Sequence, residues 1–322
     1  MGERRRPALN QVLRLRGRYL LAAALTAAAI AAPANAAPSQ ERLAYELMLG
    51  GLHVGDAMVS LDETPAGYKA GLKMAATGAL KWVRAMRSSL ESEGTLGPNS
   101  LNGAPQPVSY RKEWVSGEFA ETMTMSFDPA TRTATATSKV FNPATGAALA
   151  DEDLPWNKDG RGKKKPVPDD LRTNVFDPMA AFVAAREQLV SKGALTASGA
   201  PKSFRVPIYD GSRRYDIVGK ADAVRTVNIN GEDKQLLPVT GKLEPVFGFN
   251  AKSEERMRGV DGKIYFTPDG KFVPVQIIVS GELFTAVMNL AADCKTDNTK
   301  CAAIEAAFTT PPAGGEQRAQ AP

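Results

Sequence analysis

The sequence predicts a mainly β protein: an antiparallel curved sheet, or an incomplete or spiral β-barrel, with one or two covering helices. Three observations carry that expectation. Apolar and polar residues alternate along short runs through most of the chain, and Gly- and Pro-containing turn signals bound those runs. A helical period stands out best in one segment. A period of two places successive side chains on opposite faces of a strand, whereas a helix repeats near 3.6.

Taken in order, Leu43, Tyr45, Leu47 and Leu49 alternate with Ala44, Glu46 and Met48 until Gly50-Gly51 interrupts them. The run "LHVGDAMVSLDE" resumes the pattern, Pro65-Ala66-Gly67 turns it, and Tyr68, Ala70, Leu72 and Met74 begin another. Such runs make a meander of antiparallel strands. In "GALKWVRAMRSSLES", Leu80, Val83, Ala85, Met86 and Leu90 fit a short helix better than a strand. Strands return at residues 107–141, where Met123, Met125 and Phe127 oppose Thr122, Thr124 and Ser126. Residues 142–172 are a polar loop rich in Pro, Gly and charge, and Lys163-Lys164-Lys165 reads as a solvated part of it.

The segment "VFDPMAAFVAAREQLVSKG" is the best helix. Asp177 suits the cap and Pro178 the first turn. Met179, Phe182, Val183, Leu189 and Val190 form its apolar face, Arg186 interrupts that face, and Gly193 ends it. Beyond it, Asp210-Gly211, Asn230-Gly231 and Asp269-Gly270 are turn signals between further strands.

The first 36 residues have another purpose. Six arginines precede an apolar run from Tyr19 to Ala32, and Ala34-Asn35-Ala36 follows as a small-x-small cleavage pattern ending at Ala36. That is the design of a secretory signal peptide. The run is shorter than the ~20 residues a spanning helix needs. Export to the periplasm by the general route is expected, with no transmembrane segment after cleavage. The whole chain carries +5, and the leader holds six arginines and one glutamate, which leaves 34 basic and 34 acidic residues. A mature chain of balanced charge gives no case for nucleic acid. The expected organisation is one β-rich domain over residues 37–310 and a disordered tail over 311–322.

Candidate chemistry is sparse. His53 is the single histidine and lies beside a turn, no G-x-S-x-G elbow is present, and no glycine-rich phosphate loop precedes a helix. No cofactor, metal site or catalytic residue is therefore expected. Glu91, Glu93, Glu113, Glu118 and Glu121 lie among predicted strands and read as a polar sheet face. Trp82 and Trp114 are candidate lining residues for an apolar ligand, although core packing also accounts for them. Cys294 and Cys301 are separated by six residues. In an oxidising compartment such a pair is expected to form a disulfide that pins "CAAIEAAFTTPP" against the last strand.

The opening "YELMLGGLHVGDAMVSLDETPAGYKAGLKM", the helix "DPMAAFVAAR", the segment "VPIYDGSRRYDIV" and the closing "TPDGKFVPVQIIV" follow one another in that order. In this order, behind a signal peptide, they resemble the exported bacterial family catalogued as domain of unknown function 3108, over roughly residues 42–290. The resemblance implies a periplasmic, β-rich protein and transfers no catalytic residue.

The expected function is that of a non-enzymatic cell-envelope protein. Its concave sheet would hold a lipid or other apolar molecule, or an envelope partner. The alternative is a carboxylate-dependent hydrolase of cell-wall or glycan material, which needs an open cleft with two convergent Asp or Glu side chains. A third reading, a scaffold binding peptidoglycan or a partner, would use the 142–172 loop.

Overall fold

In the computed structural model of the protein, residues 39–77, 86–96, 104–117, 119–150, 165–191, 202–282 and 284–309 are described. Seven strands form the first half: β1 (Ser39–Leu49), β2 (Leu52–Thr64), β3 (Gly67–Ala76), β4 (Met86–Thr95), β5 (Gln106–Ser116), β6 (Phe119–Phe127) and β7 (Ala134–Phe141). Helix α1 (Pro178–Ser191) separates them from β8 (Lys202–Tyr209), β9 (Arg214–Ala221), β10 (Arg225–Ile229) and β11 (Glu232–Phe247). A short helix α2 (Ala251–Arg258), strands β12 (Asp261–Phe266), β13 (Pro274–Gly281) and β14 (Phe284–Asp293), and helix α3 (Thr299–Thr309) complete the order.

The fourteen strands make one nearly closed, barrel-like sheet in the order β7-β6-β5-β4-β3-β2-β1-β14-β13-β12-β11-β9-β8, with β10 paired to β11 off this path. Every strand pairing is antiparallel, and β1 joins β14. The two ends of the order, β7 and β8, are stitched by residues 173–176. Thr173 bridges Thr133 just ahead of β7, and Phe176 bridges Ile208 of β8. The Phe176 amide donates to Pro207 O at 2.8 Å, and the Tyr209 amide donates to Phe176 O at 2.9 Å. Arg172 reinforces the stitch by donating to the carbonyls of Val167 and Ala134. Open edges attract foreign strands, so closing them has a solubility benefit.

Helix α1 fills one end of the sheet. Asp177 caps it as expected: its Oδ1 accepts from the amides of Met179 and Ala180, both at 2.9 Å. The helix differs from an amphipathic surface helix because Met179, Ala180, Ala181, Val183, Ala184 and Leu189 are all buried. Met179, Ala180 and Val183 pack with Leu61, Tyr68, Tyr110 and Met125 of the first half. Ala181, Ala184 and Leu189 pack with Phe204, Val206, Leu237 and Phe266 of the second. The alanines let both walls approach the helix. Arg186, which interrupts the apolar face in sequence, meets Glu41 of β1 at 3.2 Å and donates to the Lys271 carbonyl. The end of the helix expected at Gly193 lies outside the described residues.

The outer face is also partly covered. Helix α3 lays Cys301, Ile304 and Phe308 over Ala44, Met58 and Ala292. The β10–β11 hairpin places Ile229 and Leu236 against Tyr265 and Val275. One expectation is corrected: residues 86–95 are strand β4, where a short helix fitted better. Met86, Ser88, Leu90 and Ser92 share one face because β4 pairs along its whole length with β3 and β5. That pairing outweighs local preference, and the serines hid the alternation from a reading of apolar residues alone.

Candidate functional site

Strand pairing lines up side chains in rungs across the inner face, the face that carries α1. The rung nearest the helix runs Glu41, Leu61, Ala70, Ser92, Tyr110, Met125 and Ala136. The next is Leu43, Val59, Leu72, Leu90, Lys112, Met123 and Ser138, and the one beyond is Tyr45, Ala57, Met74, Ser88, Trp114, Glu121 and Val140. Across β14 and β13, Leu47 continues to Met288 and Ile277, and Leu49 continues to Ala286 and Val279.

Moving away from α1, these rungs change from buried to half-exposed. Leu61, Ala70, Tyr110 and Met125 are buried. Leu47, Met74, Trp114, Phe119, Ile277, Val279, Ala286 and Met288 are of intermediate exposure. The far end of the inner face is thus an apolar hollow in contact with solvent. Gly262 and Gly241 stand side by side on the Val279 rung, and a side chain at either would meet little within van der Waals range. The wall is therefore recessed there. At the lip, Leu52 is 72% exposed, Phe284 47%, Leu49 40% and Met86 39%.

Among the described residues on these outer rungs, the charged side chains are Lys112 and Glu121. Lys112 Nζ lies 2.7 Å from Glu121 Oε2, and Ser138 Oγ donates to Glu121 Oε1 at 2.9 Å. Trp114 packs against Phe119 beside them, with ring centroids 4.8 Å apart and the planes tilted by 56°. The hollow therefore has an apolar wall on β1, β13 and β14 and a mixed wall on β4–β7.

At the helix end the polar chemistry is sealed. Asp177 is wholly buried, its Oδ2 accepts from Ser92 Oγ at 2.9 Å, and Ser92 Oγ lies 3.3 Å from the Tyr68 hydroxyl. Burial pushes the Asp177 carboxyl up to about 6, against the hydrogen bonds from Ala180, Ser92 and Met179. Glu187 is also raised, by burial and then by the charge of Glu63. Burial raises the Tyr45 phenol, which donates to Pro274 O at 2.8 Å.

Trp114 is on the hollow's wall, whereas Trp82 and Ala36 lie outside the described residues. Cys294 and Cys301 are bonded, with Cα atoms 5.9 Å apart. His53 is exposed and pairs with Asp56 at 3.0 Å. Of the glutamates read as a polar sheet face, Glu121 instead points inward. Glu91, Glu93 and Glu113 lie on the opposite face, where Glu93 faces Lys69 at 3.8 Å and Glu113 meets Arg111 at 2.5 Å. Glu118 lies outside the described residues. The inward pair was missed, yet the sequence holds its signal. Lys112 lies in register between Tyr110 and Trp114, and Glu121 in register with Met123 and Met125. A charge at an inward position of an apolar strand is that signal.

Among the described residues, no group of three His, Cys, Asp or Glu side chains could hold a metal ion, and no helix is long and apolar enough to cross a membrane. The family described as "Protein of unknown function (DUF3108)" matches residues 44–283, and the chain belongs to it. No curated protein matches. Among solved structures, the chain is similar to a "Beta-barrel-like Protein of Domain of Unknown Function DUF1849 from Brucella abortus", at 9% identity and a TM-score of 0.43, over 78% of this chain and 95% of that one.

Proposed function

We propose that this protein is a non-enzymatic periplasmic envelope factor that holds an apolar or amphipathic molecule, such as a lipid, in the half-open end of its sheet. One observation carries the reading: the inner face stays apolar beyond α1, where it is no longer buried. Exposed apolar surface is costly in water, and a concave patch of it is the usual setting of a small-molecule site. Met74, Ile277, Val279 and Met288 would take the apolar chain, and the methionines would adapt to chains of different shape. Trp114 would flank it, and Lys112, Glu121 and Ser138 would meet its polar end. The signal-peptide pattern of residues 1–36 supports the periplasmic location.

Organic extraction and mass spectrometry of protein purified from its native periplasm, without detergent, test the proposal. A copurifying amphiphile near one per chain is expected, together with displacement of an environment-sensitive fluorescent probe by long-chain amphiphiles. Met288→Glu should lose both while keeping the fold. Protein that carries no such molecule and binds no probe would overturn the reading. The hydrolase alternative receives less support, because the Asp177 carboxyl has no exposed surface and both its oxygens serve the helix cap and Ser92.

A further inference from the structure

We infer that the open end of the sheet is also a docking surface for a lipid bilayer, which it enters through separate apolar tips. The four residues at the lip belong to different strands of one end. Leu49 and Leu52 face each other across the Gly50-Gly51 turn, and Phe284 opens β14 opposite Gly281. The two hairpin tips are tied together, since the Gly50 amide donates to Thr285 O at 3.1 Å. Gly50 and Gly51 have φ of +56° and +84°, so the turn itself depends on glycine. Gly281 leaves room for the Phe284 ring, whose nearest atom would be 2.8 Å from a Cβ at that position. Met86 opens β4 at the same end.

Three features favour a bilayer over a protein partner. The lip offers four exposed large apolar side chains among the described residues, three of them on the adjoining tips of β1–β2 and β14, and a protein interface needs a broad, complementary patch. A bilayer needs no complementary shape, and it accepts Leu and Phe side chains at the boundary between headgroups and acyl chains. The tips are also continuous with the apolar hollow, through Leu49 to Ala286 and Leu47 to Met288. A molecule leaving the bilayer there would pass from acyl chains to apolar wall without crossing water. Charge is not the attraction. The described ionisable residues around the lip are of both signs: His53 pairs with Asp56, Lys242 with Asp261 at the start of β12, and Glu282 and Arg87 are of opposite sign. Binding should therefore occur on neutral lipid.

Flotation with vesicles tests this, using phosphatidylcholine alone and phosphatidylcholine with phosphatidylglycerol in equal parts. The protein lacking residues 1–36 should float with both to a similar extent. Leu52→Asp and Phe284→Asp should each lower the bound fraction roughly tenfold, and the double variant should reach background. Both sites are exposed, so the melting temperature should hold. The rim variants are assayed in parallel for probe displacement, which reads the hollow and does not depend on vesicles; it should be unchanged. Absence of flotation, flotation on the anionic mixture alone, or rim variants that float like the parent would overturn the inference. So would a rim variant that loses flotation and probe displacement together, because the substitution would then have damaged the hollow.

Discussion

The two ends of the same sheet solve opposite problems. At the α1 end the apolar inner face is covered, and the two buried charged groups on and beside the helix have partners: Asp177 with Ser92 and two amides, Arg186 with Glu41 and the Lys271 carbonyl. At the far end the inner face is as apolar, yet Leu47, Met74, Ile277 and Val279 stay half-exposed. The difference is one of geometry. A sheet this wide can enclose more volume than its own side chains fill. Helix α1 fills the end next to it. An end sealed by the chain itself is where stability is concentrated, and the other end is where the proposed ligand would come and go.

The comparison breaks most severely at Arg186. Replacing it by Met would leave the largely covered Glu41 carboxylate, 16% exposed, without its cation, at a cost of up to roughly 3–5 kcal/mol. Urea unfolding should show the loss, and Glu41→Gln in the same chain should return much of it. A single variant as stable as the parent would mean that the α1 end is wetter than its burial indicates.

Asp177 gives a second test, this time through pH. Its folded carboxyl titrates at about 6, above the ordinary value of 3.8. The folded state therefore binds this proton more tightly than the unfolded chain does. The associated stability is fully present below about pH 4 and is lost as pH rises through 6, a fall of order 3 kcal/mol for a shift of this size. Asp177→Asn keeps a cap acceptor and removes this titration, so the slope over that window should drop to the smaller part that Glu187 and other carboxylates contribute. An unchanged slope in the variant would assign the pH dependence to other groups.

Much of the sealed end was legible in the sequence. Asp177-Pro178 marks the start of the helix, and the alternation of Leu43, Tyr45 and Leu47 marks a strand with one apolar face. What could not be read is which turns of the chain share a level of the barrel. Rungs join Tyr45 to Trp114 and Leu47 to Met288, and those pairings depend on register set by long-range contacts. Strand β4 was obscured for a related reason: Ser88 and Ser92 face inward, and Ser92 is there to hold Asp177. A polar residue at a core position looks like noise until its partner is placed. Helix α3, rich in alanine with little periodic contrast, was expected only as a pinned segment.

The outer cover supplies a smaller effect. Cys294→Ser with Cys301→Ser should free α3 from the face formed by Ala44, Met58 and Ala292. Closing so short a loop contributes ~2.5 kcal/mol in the chain-entropy view. That effect should remain local, because α1 and its contacts lie on the other face of the sheet. Hydrogen exchange should quicken over residues 299–309 while the strands keep their protection. A lower melting temperature for the whole protein would show that α3 is part of the main cooperative unit.

The smallest stability change is expected at the open end. Lys112 and Glu121 are partly exposed, and each can turn to water if the other is removed, so Lys112→Met should shift stability by no more than about 1 kcal/mol. That contrasts with Arg186, whose side chain is 9% exposed against 29% for Lys112 and which also serves the Lys271 carbonyl. In the hollow the same substitution should have a selective effect on binding. It removes the inward cation and leaves the apolar wall intact, so displacement of the fluorescent probe by amphiphiles with an anionic head should weaken, while displacement by neutral-headed chains of equal length should not. Equal weakening for both would reduce Lys112 to a packing element of the wall. Selective weakening would place the polar end of the bound molecule against β5 and β6, and its chain against β13 and β14.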